Sequence, residues 1–150
     1  MGAGASCLEA GAGGGSIAPW LCGLVGATGQ VVATDLDVRA LGELTGDNLE
    51  VRRHNIVNDE LEEEAYDLVH ARLFLEHLPE RDGVLEKLMR ALRPGGWIVL
   101  ESVDYGASVP ISELGADEHA RSQAIRLEKF TLAGAQVTGE TSGLLGSHLP

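Results

Sequence analysis

Residues 7–15, Cys7-Leu8-Glu9-Ala10-Gly11-Ala12-Gly13-Gly14-Gly15, run from an apolar segment through an acid into a loop with glycine at every other position. Residues 5–9 read as a strand. Ile17, Leu21, Leu24 and Val25 recur with the spacing of a helix's apolar stripe, and Pro19 falls in its first turn, where a missing N–H costs nothing. A strand handing over to a helix through a glycine turn is the opening of a nucleotide-binding α/β domain, because glycines let backbone approach a ligand closely. The next apolar run, residues 30–34, is a second strand closed by Asp35, where a carboxylate can bind ribose hydroxyls.

Working outward, strand and helix signals keep alternating. Asp37 can cap a short helix through Glu43, residues 49–53 form a third strand and residues 66–70 a fourth. Pro79 opens a helix whose buried face is Val84, Leu85, Leu88, Met89 and Leu92, and Arg93-Pro94-Gly95-Gly96 ends it. Trp97–Leu100 is then apolar without alternation, as in a strand buried on both faces. Ser112 can cap a last helix through Phe130, and the glycine-rich tail beyond shows no convincing strands. The predicted fold is α/β, a Rossmann-like three-layer sandwich in one domain spanning residues 1–150, its core at about 5–105.

Composition narrows the partners. A formal net charge of −12, from 23 acids against 11 Lys and Arg, repels phosphate backbones and argues against nucleic acid. The acidic run Asp59–Glu64 reads as a solvated loop. The longest apolar stretch, residues 17–27, is roughly half of what a membrane crossing needs. The start at Met1 has no basic leader, and Cys7 and Cys22 read as core thiols of a reducing cytoplasm. No Cys/His cluster has metal-ligand spacing, and no Ser-His-Asp set is identifiable.

A dinucleotide would want glycine where Ser16 stands, and Glu9 would repel a pyrophosphate placed on the loop. An ammonium-bearing ligand without phosphate suits the same place better. Four blocks in order resemble class I S-adenosylmethionine-dependent methyltransferases of the small-molecule type: Leu8–Gly15, Ala33–Asp37, Tyr66–Arg72 and Leu92–Trp97. The resemblance implies a sheet of order 3-2-1-4-5 and S-adenosyl-L-methionine as cofactor. Gly11, Gly13 and Gly15 would pass the methionine part and Glu9 would accept from its ammonium. By the same resemblance Asp35 would take the ribose hydroxyls, and Leu36 would flank the adenine. Asn55 and Ile56 would contact the adenine, with Asn55 standing where many relatives carry Asp. His70, Ala71 and Arg72 would lie near the methyl group, His70 as a wall or proton acceptor, and His77 stands where relatives often have histidine.

The absence of Asn/Asp-Pro-Pro-Tyr after the fourth strand, and of an attacking Pro-Cys pair, favours a small metabolite as methyl acceptor. A non-catalytic S-adenosylmethionine-binding module is the alternative, and an NAD(P)-binding oxidoreductase domain is disfavoured by Ser16 and the Arg93–Gly96 block. The family also has helices ahead of the first strand and an antiparallel hairpin after the fifth. Neither is legible in this chain, so the fifth strand is expected to be an open edge that invites association, a homodimer included.

Overall fold

The computed structural model describes residues 2–103 and 125–131. Its strands are β1 (Ser6–Ala10), β2 (Gln30–Asp35), β3 (Leu49–Arg53), β4 (Tyr66–Arg72), β5 (Leu92–Val103) and β6 (Ile125–Thr131), with helices α1 (Ala18–Val25) and α2 (Arg81–Arg90). One sheet holds all six in the order β3-β2-β1-β4-β5-β6. The first five are parallel, which bears out the expected 3-2-1-4-5 arrangement.

Alternation along the strands divides the core between the two faces. Cys7, Val31, Ala33 and Leu68 pack with Ala18, Leu21 and Val25 of α1. Leu8, Val32, Val69 and Ile98 pack with Val84 and Leu88 of α2. Three layers result. Glu9 and His70, register partners on neighbouring strands, each lie two residues beyond a residue of the α1 side and share that face.

Three expectations change in detail. In α1 the buried stripe is Ala18, Leu21 and Val25, while Leu24 is exposed, because a helix of two turns covers the sheet with a narrow face. In α2, Val84 and Leu88 are buried, but Leu92 belongs to β5. The block Arg93–Gly96 therefore lies inside β5 as a bulge, since Tyr66 pairs with Leu92 while Leu68 pairs with Trp97. Gly95 has φ +82°, and a Cβ on Gly96 would sit 2.9 Å from the Arg93 carbonyl. Arg93 pins the bulge through Asp67 at 2.7 Å, and the same Asp67 oxygen accepts from the Ser6 N–H at 2.8 Å.

The third change is β6. It pairs antiparallel with β5 from Trp97–Thr131 to Val103–Ile125, over residues that the sequence reading assigns to a helix. Ile125-Arg126-Leu127-Glu128 alternates with a period of two, and β5 has a full row of N–H and C=O groups to satisfy. The expected open edge at β5 is therefore closed. The proposed start of that helix at Ser112, and the tail beyond Thr131, lie outside the described residues.

Candidate cofactor pocket

The carboxyl ends of β1, β2 and β4 meet at the glycine loop, the usual place for a ligand in an open α/β sheet. Gly11, Gly13 and Gly15 have φ of +69°, +54° and +72°. Two of them are also crowded. A Cβ on Gly11 would lie 2.2 Å from the Phe74 ring, and one on Gly15 would lie 2.5 Å from Leu44. Gly13 faces open space, and its N–H donates to Asp35 Oδ2 at 2.8 Å. The Ala12 N–H donates to the Thr34 carbonyl at 2.9 Å, so the loop is laced to the end of β2.

Asp35 also accepts the Asp37 N–H at 3.0 Å. Its two oxygens thus fix the loop and the turn after β2, with lone pairs left for further donors. Asp37 caps the 3₁₀ turn Val38–Leu41 by accepting the Arg39 N–H, and this helix is shorter than expected. Leu36, between the two acids, is 58% exposed, an apolar side chain left open beside Asp35.

The exit of β3 is held against Asp35, because the His54 N–H donates to the Asp35 carbonyl at 2.9 Å. Asn55 lies there with its side-chain oxygen turned back onto the Val57 and Asn58 N–H groups at 3.1 and 3.3 Å. Its own N–H donates to Asp59. Ile56 is buried in the α2-side core. Lys87 of α2 donates to the Ile56, Val57 and Asp59 carbonyls, at 2.8, 3.2 and 2.6 Å, which locks this loop to the helix.

Glu9 lies under the loop, 4% exposed, and its Oε2 has no partner. Burial pushes its carboxyl up from 4.5 to about 7, and the positive charge of Arg72 offsets part of that rise. Beside it His70 is buried, with Nε2 2.9 Å from Glu101 Oε1 and Nδ1 unpartnered. If Nε2 donates to that carboxylate, Nδ1 is an acceptor. His77, by contrast, is exposed at the end of the 3₁₀ turn Leu75–His77, and no hydrogen bond of its ring ties it to the pocket.

Three residues, Leu73, Phe74 and Glu101, join the site that sequence reading did not place there, and Arg72, expected near the methyl group, lies with them. Arg72 donates to Ser16 Oγ at 2.6 Å, across the start of α1. Phe74 packs on Gly11, Glu101 orients His70, and Leu73 turns the chain toward Phe74 with φ +50°. A left-handed leucine costs about 1–2 kcal/mol. Its N–H is held by the Glu101 carbonyl at 2.8 Å. Alternation along β4 also places Arg72 on the face of His70.

The residues fit an α-amino-acid ligand carrying an adenosine better than a dinucleotide. A buried acceptor without a partner awaits a donor, and Gly13 of the adjoining loop faces open space; a phosphate there would meet a carboxylate instead. Among the described residues no group of His, Cys, Asp and Glu could hold a metal ion. No helix there is long and apolar enough to cross a membrane.

Comparison with known proteins agrees. The methyltransferase domain family matches residues 8–98. A ubiquinone biosynthesis O-methyltransferase of Burkholderia ambifaria is 32% identical over 127 residues, covering 79% of this chain and 53% of that protein. The chain thus spans about half the length of such relatives. Among solved structures, a SAM-dependent methyltransferase from Aquifex aeolicus superposes with a TM-score of 0.61 at 23% identity, covering 79% of this chain and 65% of that one. An arsenic(III) S-adenosylmethionine methyltransferase from Chlamydomonas reinhardtii gives 0.58 at 27% identity, covering 73% and 42%. The chain belongs to the S-adenosylmethionine-dependent methyltransferase family of the class I, Rossmann-like fold.

Proposed function

We propose that this protein binds S-adenosylmethionine at the carboxyl edge of β1, β2 and β4 and transfers its methyl group to a small-molecule acceptor. The observation that carries the reading is Glu9, a buried carboxylate with a free oxygen beneath a glycine loop that Asp35 ties down. Bound there, S-adenosylmethionine supplies a sulfonium whose methyl is already activated, so the protein has only to place a nucleophile in line and exclude water.

The chain's own residues divide that work. Glu9 holds the ammonium, Gly11, Gly13 and Gly15 keep the loop close, and Asp35 takes the ribose hydroxyls. Leu36 covers the adenine together with the Asn55–Ile56 turn. Because the oxygen of Asn55 is engaged with backbone, its amide N–H groups and the turn's backbone carry the adenine contact. His70 walls the reactive end and can accept a proton at Nδ1 from the acceptor or from a ligand N–H. The exposed His77 is the weaker candidate for that role.

Three features support a small acceptor in the cytoplasm. A cavity of about 370 Å³ lies where β4 and β5 end, lined by Ala71, Leu75, Leu85 and Leu100 with Glu76 and Arg81, and its size suits a small molecule. The net charge of −12 disfavours nucleic acid. Both cysteines are free thiols. One of the relatives is named as an O-methyltransferase of ubiquinone biosynthesis, which favours an oxygen on a ring-bearing metabolite.

Calorimetric titration with S-adenosylmethionine, S-adenosylhomocysteine and NADH tests the cofactor reading; NADH binding without the other two would reject it. Release of S-adenosylhomocysteine over a panel of phenols, amines and quinone-like compounds tests the transfer. Tight cofactor binding with no turnover on any of them would favour an accessory module.

A further inference from the structure

We infer that Arg72, steadied by Ser16, binds the α-carboxylate of the methionyl group, so that Glu9 and Arg72 form a clamp for an amino-acid zwitterion across the glycine loop. The inference rests on the S-adenosylmethionine reading above and adds to it a recognition residue and a role for Ser16.

The first argument is commitment of charge. Among the described residues, Arg39, Arg52, Arg81, Arg90 and Arg93 each face a carboxylate. Arg53 donates to the Leu36 carbonyl and Lys87 to three carbonyls. Arg72 does neither. Its guanidinium makes one hydrogen bond, to the Ser16 hydroxyl at 2.6 Å, and it is exposed. The carboxylate in its own register on β5, Glu101, is taken by His70 instead. A chain of net charge −12 thus keeps an uncommitted cation at the mouth of its ligand loop.

The second argument is complementarity. Glu9 is 4% exposed and its Oε2 has no partner, so this carboxylate awaits a cationic donor. Glu9 pairs in register with His70, and Arg72 lies two residues further along the same face of β4. An α-amino acid carries its ammonium and carboxylate on one carbon. Binding both ends takes a buried acceptor and a nearby fork of donors, and a guanidinium supplies that fork to a carboxylate. Ser16 holds the fork over the loop by one nitrogen and leaves the others free.

The test uses the full 150-residue chain and two nucleosides that differ by the amino-acid part. S-adenosylhomocysteine carries it, and 5′-methylthioadenosine lacks it. Arg72→Gln is expected to weaken S-adenosylhomocysteine about tenfold or more while 5′-methylthioadenosine changes less than twofold. Arg72→Lys should fall between, keeping charge without the fork, and Ser16→Ala should weaken S-adenosylhomocysteine about two- to threefold. Thermal melts check that each variant is folded. Equal losses for both nucleosides, or no loss for either, would show that Arg72 only latches the loop and would overturn the inference. Failure of the unaltered chain to bind S-adenosylhomocysteine would instead remove the cofactor reading and the inference with it.

Discussion

Glu9 is the residue on which binding and stability pull in opposite directions. Its folded carboxyl titrates at about 7, against 4.5 when unfolded, because burial disfavours the charge. The folded chain therefore keeps a proton that the unfolded chain has lost between those two values. The contribution of Glu9 to stability is fully present below about pH 4.5 and is lost as pH rises through 7. Replacing it by Gln should raise stability by about 1–2 kcal/mol at pH 8 and flatten the decline between pH 5 and 8 in denaturant melts. Binding runs the other way. An ammonium needs the ionised carboxylate, so affinity for S-adenosylmethionine should rise about tenfold from pH 6 to pH 8, and Glu9→Gln should abolish that rise. If the variant keeps the same pH profile, another group holds the ammonium. Glu9 was legible in the sequence as the acid closing the first strand. Its lack of a partner was not, since that depends on which neighbours face it across the sheet.

At the scale of elements, the loops that form the pocket are held by packing and by one lysine. Gly11 and Gly13 both have positive φ, but only Gly11 lies against a side chain, the Phe74 ring. Gly13→Ala should cost about 1–2 kcal/mol of backbone strain. Gly11→Ala should cost more, and Phe74→Leu should recover part of the excess but not the strain, a coupling that a double-mutant cycle reads directly. Lys87→Met removes three hydrogen bonds to the Asn55–Asp59 turn. It should speed amide exchange in that turn and weaken S-adenosylhomocysteine and 5′-methylthioadenosine alike, because it acts on the turn proposed to hold the adenine. This contrasts with the selective loss expected at Arg72. The glycines and Asp35 could be read from local spacing, which is a property of adjacent residues, whereas the strand order came from the resemblance of the four blocks to a known family. Phe74 on Gly11, Lys87 under the Asn55–Asp59 turn and Glu101 behind His70 join segments far apart in sequence, and no local pattern encodes such pairs.

For the whole molecule, the question is how the sheet ends. One end is β3, where Glu50, Arg52 and Arg53 place charges on the strand, and Arg52 is tied to Glu50 and Glu62 at 2.9 and 2.8 Å. Charged edges resist pairing with another chain. The other side of the parallel set is β5, whose apolar run gave the sequence reading its expectation of association. Periodicity could not show that residues 125–131 return antiparallel alongside it, because a short alternating segment reads weakly and its partner lies more than twenty residues back. With β6 in place, the backbone groups of β5 are paired from Trp97 to Val103. Association through that edge should then depend on whether β6 is present. A chain ended after Ala124 would expose the row, and it should self-associate at micromolar concentration and melt at a lower temperature than the full chain. Light scattering and a thermal scan of the two chains side by side provide the measurement. A shortened chain with the same mass distribution and the same midpoint would mean that β6 contributes nothing to closing the sheet.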